Sequence, residues 1–422
     1  MTFRQAEEYL LSLELFGMRF GLDRMHRLMT VLGLPQRRFA SIHVVGTNGK
    51  SSTARFCAAI LERHGLRTGS YTSPHLRSFR ERIEVGEQAV SEAGFAAAVT
   101  RAAQAAEMVD RTADPDDRVT QFEALTAAAY HELGRRGVEV AVIEAGLGGR
   151  FDATNVIPSK VQVLTSIGLE HTRWLGPTVT DIAGEKLAVV RDRGALVTGA
   201  LAPEVAAVAQ RVVARHHARL VAVGHPAGVG AAPADLGVEL RAAGRFQRRN
   251  FAIAAAAAEA FLERPLERSA VARAAAETRV PGRLDLVAEH PLTVHDGAHN
   301  PAGARALAES LDDVLGDRRP RVAVIGVLED KDAAGMLEAL LPHVDQAVYT
   351  RSRNPRSLSP ATLATLAEKL GGPPYEAVAE PHGAVERART LAGRGGAVVA
   401  TGSIYLIADL VRDQAGARAS TL

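Results

Sequence analysis

The run Ile42-His43-Val44-Val45-Gly46-Thr47-Asn48-Gly49-Lys50-Ser51-Ser52-Thr53 decides the fold. It opens on β-branched apolar residues, turns glycine-rich, and leads into Ala54 to His64, which has helical spacing. The order is strand, glycine loop, helix. In such a turn backbone N–H groups approach phosphate oxygens, the helix N-terminus adds partial positive charge, and Lys50 can reach the terminal phosphates. The spacing is not that of a standard P-loop, which places four residues between its first glycine and the Gly-Lys pair. Here only Thr47 and Asn48 separate Gly46 from Gly49. An ordinary glycine turn capped by Ser51 or Ser52 is the plainer reading, and the strand-to-helix context favours nucleotide phosphate binding over it.

Working outward, alternating and β-branched patterns predict strands near Ser41 to Val45, Arg67 to Thr72, Glu139 to Glu144 and Val161 to Ile167, with alanine-rich helices between them. This alternation predicts an α/β fold with a mostly parallel sheet, whose ligands sit beyond the carboxyl ends of its strands. The pattern restarts after Val280-Pro281-Gly282, with strands near Leu292 to His295, Arg321 to Val327, Gln346 to Tyr349 and Ala397 to Thr401. A boundary near residue 286 therefore divides the chain into domains 1–285 and 286–422. The Ala/Gly/Pro-rich stretch Pro226 to Gly237 reads as a surface loop ahead of a helix over Asn250 to Glu263, and no internal repeat is visible.

Composition narrows the class. The 422 residues are 47% hydrophobic, which excludes a disordered polyelectrolyte, and 50 Lys plus Arg against 48 Asp plus Glu leave little surplus for coating nucleic acid. The single cysteine, Cys57, fits a reducing compartment, with the cytoplasm as default. The N-terminal stretch carries Glu7, Glu8 and Glu14 among its apolar residues and reads as an amphipathic helix, not a signal peptide. The most apolar later run, Phe251 to Leu262, contains Glu259 and is too short to span a bilayer, so no membrane segment is expected.

Three further elements sit at strand ends: Tyr71-Thr72-Ser73-Pro74-His75, Ile143-Glu144-Ala145-Gly146-Leu147-Gly148-Gly149-Arg150 and Ile167-Gly168-Leu169-Glu170-His171. Ser73, Glu144 and His171 would suit magnesium on a triphosphate, whose remaining positions are filled by phosphate oxygens and waters. Singly, each has a plainer reading: Ser73 in a turn, Glu144 paired with Arg150, His171 as a satisfied polar residue. Their shared placement after strands of one sheet favours the joint site. His216-His217, Arg248-Arg249 and Trp174 receive the plain reading of surface or packing residues.

Together, Gly46-Thr47-Asn48-Gly49-Lys50, Ser73-Pro74-His75-Leu76, Glu144 through Asn155 (EAGLGGRFDATN) and Asp296-Gly297-Ala298-His299-Asn300-Pro301 closely resemble the folylpolyglutamate synthase / dihydrofolate synthase family of Mur-type ligases. The likeness runs from Phe20-Gly21-Leu22-Asp23-Arg24 to Thr401-Gly402-Ser403-Ile404-Tyr405-Leu406. It implies a Mur-ligase-like architecture: a central P-loop-type ATP- and folate-binding domain followed by a smaller Rossmann-like glutamate ligase domain. By position, Gly49, Lys50, Ser51 and Ser52 resemble the phosphate-binding group, and Asn250, Arg283 and Asp296 further nucleotide contacts. Ser73, Glu144 and His171 resemble ligands of two magnesium ions. Lys186 matches a lysine that is carbamylated in the family, and a monovalent cation is compatible with the likeness. Thr120-Gln121-Phe122-Glu123 and Phe151-Asp152-Ala153 match stretches that line a pterin site, with Phe122 equally readable as a core aromatic. His299 and Asp330-Lys331-Asp332 match motifs near the family's active cleft.

Three departures stand out: Ser51 where the family usually has glycine, Glu170 for an aspartate, and Leu187-Ala188-Val189 after Lys186. None removes a phosphate or metal group. The implied activity is an ATP-dependent amide ligase adding L-glutamate to a reduced folate, with dihydropteroate as the family's second acceptor, through an acyl phosphate. Lys50, Glu144, His171 and Lys186 would serve the chemistry in a monomer without nucleic-acid or membrane partners. The rivals are a Mur-type ligase for another acid or amino acid, and a silent nucleotide-binding paralogue. Retention of Lys50, Ser73, Glu144 and His171 together argues against the silent form.

Overall fold

The β-branched runs of the sequence become the strands of two sheets. The structure, a computed structural model, describes residues 1–14, 21–114, 116–224, 231–232 and 236–412; Phe20 and most of the Pro226 to Gly237 stretch lie outside that set. The chain divides into two units: Met1–Pro74, Ser78–Glu239 and Arg249–Thr278 in one, His75–Arg77, Leu240–Arg248 and Arg279–Leu422 in the other.

The first unit holds β1 (Ala40–Val45), β2 (Thr68–Tyr71), β3 (Ile83–Val85), β4 (Gln88–Ala89), β5 (Val140–Glu144), β6 (Val161–Leu164), β7 (Ala195–Thr198), β8 (Arg219–Val223) and β9 (Ala231–Ala232). Their order is β4-β3-β2-β5-β1-β6-β7-β8-β9, with antiparallel pairing only at the β2-β3-β4 edge. β1 is central, in register with β5 on one side (Val44 opposite Glu144) and β6 on the other (Val44 opposite Val163). Ser41 to Val45 and all of β5 are buried, as strands covered on both faces require. One core gathers Met25, Tyr71, Phe95, Leu125, Tyr130 and Ile143, and another gathers Val45, Leu164, Leu187 and Leu196. Fully burying a side chain such as Leu125 contributes about 1.5–3 kcal/mol.

The second unit holds β10 (Asp285–Glu289), β11 (Leu292–His295), β12 (Arg321–Ile325), β13 (Gln346–Tyr349), β14 (Tyr375–Ala377) and β15 (Ala397–Thr401), ordered β10-β11-β15-β12-β13-β14. Only β10 runs antiparallel. The architecture is thus the expected α/β one, with two mostly parallel sheets.

Differences from the sequence reading are local. The boundary expected near residue 286 falls inside β10, where Leu286 and Val287 are exposed and the alternation that marks a half-buried strand is lost. Ala231–Ala232, within the expected loop, pair in parallel with β8. Two residues carry no period, so only the long-range pairing reveals them. The N-terminal helix covers Phe3–Ser12, closed at its start by a Thr2–Gln5 capping box.

Candidate active site

Four loops gather at the carboxyl ends of β2, β5, β1 and β6, which are adjacent in the sheet. The loop after β1 carries Gly46 to Gly49 and feeds the helix Lys50–Arg63, whose N-cap Gly49 has φ +85°. A Cβ on Gly49 would meet Asn250 Oδ1 at 2.5 Å, so glycine is required there by space as well as by conformation. The structure thereby places Asn250 directly against the phosphate-type loop.

This loop is pinned to the one following β6. Thr47 N donates to Ser166 O (2.8 Å) and Asn48 N to Ser166 Oγ (3.0 Å), while Thr165 Oγ1 donates to Asn48 O (2.7 Å). Thr165 and Ser166 were not singled out from sequence; two hydroxyl residues ending an apolar strand were the available signal. Lys50 Nζ donates to Thr47 O (3.2 Å), folding the ammonium over the loop.

Glu144 ends β5 almost wholly buried, with 1% exposure. Its carboxylate accepts from the Ser51 hydroxyl (2.9 Å) and from the Ser73 backbone N–H (3.0 Å). Arg150 pairs instead with Glu185 (2.8 Å), which sets aside a Glu144–Arg150 pair. Ser51, the departure from the family's glycine, is what ties the helix start to the buried carboxylate.

Lys186 is buried, and its ammonium donates to the Gly46 carbonyl (2.9 Å). Burial and the nearby Lys50 charge push its pKa down to about 7, only partly countered by Glu170 and Asp152. Gly149 admits this packing: a Cβ there would lie 2.6 Å from the Lys186 carbonyl oxygen. His171 follows β6 in a left-handed conformation (φ +53°) and is exposed, 3.9 Å from the Glu170 carboxylate.

Among the described residues no group of three or more His, Cys, Asp or Glu side chains is gathered to hold a metal. The anticipated set of Ser73, Glu144 and His171 contains only two such residues. A buried carboxylate beside the Ser51 hydroxyl, which also reaches the Ser73 carbonyl oxygen (3.4 Å), is nevertheless a hard-oxygen donor set, which fits magnesium completed by phosphate and water.

The stretch expected to line a pterin site divides by role. Thr120 and Glu123 form the capping box of the helix Gln121–Arg135, and Gln121 Nε2 donates to Leu10 O (2.7 Å). Glu123 is also gripped by the buried Arg24 guanidinium, with Nε 3.0 Å from both carboxylate oxygens. These side chains build the scaffold. Phe122 is half-buried, its ring lying where a Cβ on Gly146 would be, with its centroid 6.2 Å from that of Tyr71. Phe151 is 43% exposed and Ala153 buried. Asp152 is buried and accepts from Leu147 N (2.7 Å) and Thr154 N (3.0 Å); burial pushes its pKa up against these hydrogen bonds. Trp174 is half-buried, with the Arg173 guanidinium 5.1 Å from its ring centroid.

In the second unit, Asp296 is buried and accepts from Leu284 N (2.9 Å) and Ala298 N (2.8 Å). The helix Pro301–Leu315 is capped by Asn300. Burial raises the Asp296 pKa and the Arg283 charge opposes the rise, which places these two expected residues close together. His299 Nδ1 lies 2.9 Å from Gly297 O. Asp332 caps the helix Ala333–Leu340, and Asp330 pairs with Lys331 (3.6 Å) and Arg356 (3.5 Å).

Comparison with known proteins gives a consistent neighbourhood. Residues 282–404 match the family model of the Mur ligase, glutamate ligase domain. A dihydrofolate synthase/folylpolyglutamate synthase of Mycobacterium tuberculosis is 37% identical, covering 85% of this chain and 80% of its own length. One from Bacillus subtilis is 33% identical, covering 94% and 95%. Folylpolyglutamate synthase of M. tuberculosis complexed with ADP superimposes with a TM-score of 0.89 at 34% identity, over 97% of this chain and 98% of that one. Escherichia coli FolC in complex with DHPP and ADP gives 0.84 at 29% identity, with 97% of each chain covered.

Proposed function

This chain belongs to the dihydrofolate synthase/folylpolyglutamate synthase family, and from that premise we propose how its own residues serve an ATP-dependent ligase that adds glutamate to a folate. The observation that carries the reading is the convergence of four loops at the carboxyl ends of β2, β5, β1 and β6 around the buried Glu144, with Ser51 and Ser73 on its carboxylate.

A carboxylate resists attack by an amine, because its charge repels nucleophiles and its oxygen is a poor leaving group. Transfer of the γ-phosphoryl group of ATP to a carboxylate oxygen releases ADP and creates an acyl phosphate. The glutamate amine then attacks the acyl carbon, phosphate departs, the amine proton is lost, and an amide remains. The first step needs positioning and charge neutralisation. Lys50, the loop N–H groups and Ser52 would supply these on the phosphates, with Asn250 beside the loop. Glu144, Ser73 and His171 would hold magnesium, which when bound neutralises charge on the triphosphate.

Burial and the Lys50 charge shift the Lys186 amine towards its neutral form. A neutral amine can add carbon dioxide and lose a proton, becoming a carboxylate; we assign that modification to Lys186. Phe122, Phe151 and Asp152 would contact the pterin, with Thr120, Gln121, Glu123 and Ala153 shaping its surroundings. Arg283 and Asp296 belong to the proposed glutamate ligase domain, 286–422 with its preceding hinge, and domain 1–285 to ATP and folate. No helix among the described residues is long and apolar enough to cross a membrane. A cytoplasmic monomer completes the proposal.

Purified protein with MgATP, L-glutamate and either tetrahydrofolate or dihydropteroate, analysed by mass, tests it. Products heavier by single glutamyl units are expected. ATP binding without product from either acceptor would refute the folate assignment, and absence of acceptor-stimulated ADP release would favour the silent paralogue.

A further inference from the structure

We propose that His43, buried on the strand that leads into the phosphate loop, is a positioning residue for the acceptor: through Thr154 it fixes Asp152 and the Gly146–Gly149 backbone. This rests on the reading of Phe151 to Ala153 as part of the folate site. His43 is completely buried on β1, between the apolar Ile42 and Val44. An imidazole in such a place is costly unless hydrogen-bonded, and its only hydrogen bond among the described residues is Nε2 to Thr154 Oγ1 at 2.8 Å.

The proton positions follow from counting. Thr154 Oγ1 also hydrogen-bonds to Asp152 Oδ1. An ionised carboxylate only accepts, and a hydroxyl has one proton to give. With Asp152 ionised, Thr154 donates to it and accepts from His43, whose proton then sits on Nε2. Nδ1 is then a bare acceptor, in agreement with its lack of a partner. Burial, with the Arg191 charge nearby, holds the imidazole neutral by pushing its pKa down to about 3.

The relay continues into the site. Asp152 Oδ2 accepts from Leu147 N at 2.7 Å, so the carboxylate bridges the glycine segment after Glu144 and the turn Ala153–Val156. Two further contacts hold that turn in place: Tyr130 OH donates to Thr154 O (3.0 Å), and Arg191 Nη2 donates to Asn155 O and Oδ1 (both 2.7 Å). His43 alone among these acts on the side-chain oxygen that orients the Asp152 carboxylate. The same strand that leads into Gly46 thus sets the carboxylate beside Phe151.

The test compares His43→Leu, His43→Gln, Thr154→Val and Asp152→Asn by kcat and by KM for acceptor and for ATP. Losing one buried hydrogen bond that orients the site should raise the acceptor KM roughly tenfold in His43→Leu and Thr154→Val, with the ATP KM little changed. The double variant should be no worse than either single one, because both break the same chain. His43→Gln, whose amide N–H can replace Nε2–H, should restore the acceptor KM. A folded His43→Leu with normal acceptor KM beside an impaired Asp152→Asn would overturn the positioning role alone, as would a glutamine variant as impaired as the leucine one. A normal acceptor KM in Asp152→Asn would overturn the folate reading beneath it. Should His43→Leu fail to fold, Thr154→Val and His43→Gln decide by the same criteria.

Discussion

Replacing Lys186 by Met probes the most perturbed cation of the site. In the folded protein burial and the Lys50 charge lower its pKa from the ordinary 10.5 to about 7. Between these values the unfolded chain binds a proton that the folded one does not. Wild-type stability must therefore rise with pH across that window, and the penalty is complete below about pH 7. At about 1.4 kcal/mol per pH unit, raising pH from 7 to 9 should stabilise wild type by about 2–3 kcal/mol relative to Lys186→Met. The full penalty of roughly 4–5 kcal/mol exceeds the about 1–3 kcal/mol for leaving the Gly46 carbonyl without its donor. The variant should then be the more stable at pH 7, with the difference shrinking towards pH 9. Urea unfolding of nucleotide-free protein at pH 7, 8 and 9 reads this out, in carbon-dioxide-free buffer so that the amine stays unmodified. Trp174, the single tryptophan, lies in the same unit and reports its unfolding by fluorescence. Parallel pH dependence in the two proteins would refute the claim that the amine is desolvated.

Glu144→Gln keeps the shape but loses the charge beside Ser51 and Ser73, and kcat with MgATP should fall on the order of a hundredfold; wild-type turnover would end its proposed metal role. Gly49→Ala puts a Cβ against Asn250 at a positive φ, so weaker ATP binding by titration calorimetry is expected, by roughly 1–3 kcal/mol of strain. Arg24→Met removes the cation paired with the buried Glu123 carboxylate, leaving it only its Thr120 donors, and should lower stability by about 3–5 kcal/mol in urea unfolding. Adding Glu123→Gln should recover part of that loss; no recovery would mean that packing, not charge, dominates.

How much could be read beforehand depended on range. The strands Leu292–His295, Gln346–Tyr349 and Ala397–Thr401 were legible to the residue, because each is a short buried run with its own local pattern. The short strands β3, β4, β9 and β14 were not, since two or three residues gain strand character only from a partner. The glycine loop could be read as the proposed phosphate site because Gly46, Gly49 and Lys50 are neighbours in the chain. Its anchor to Thr165 and Ser166, and the Ser51–Glu144 bond, join distant segments and carry no local signature.

The sequence by itself determined the α/β class and the family, since these rest on residue type and spacing along the chain. Tertiary structure decided which polar groups are spent on the scaffold and which face the site. Glu123 satisfies Arg24, Asp152 holds Leu147, His43 points at Thr154, and Lys186 loses its water beneath Gly46. Burial and partner geometry set those roles. Both are properties of packed neighbours from several strands, and no spacing within one segment encodes them.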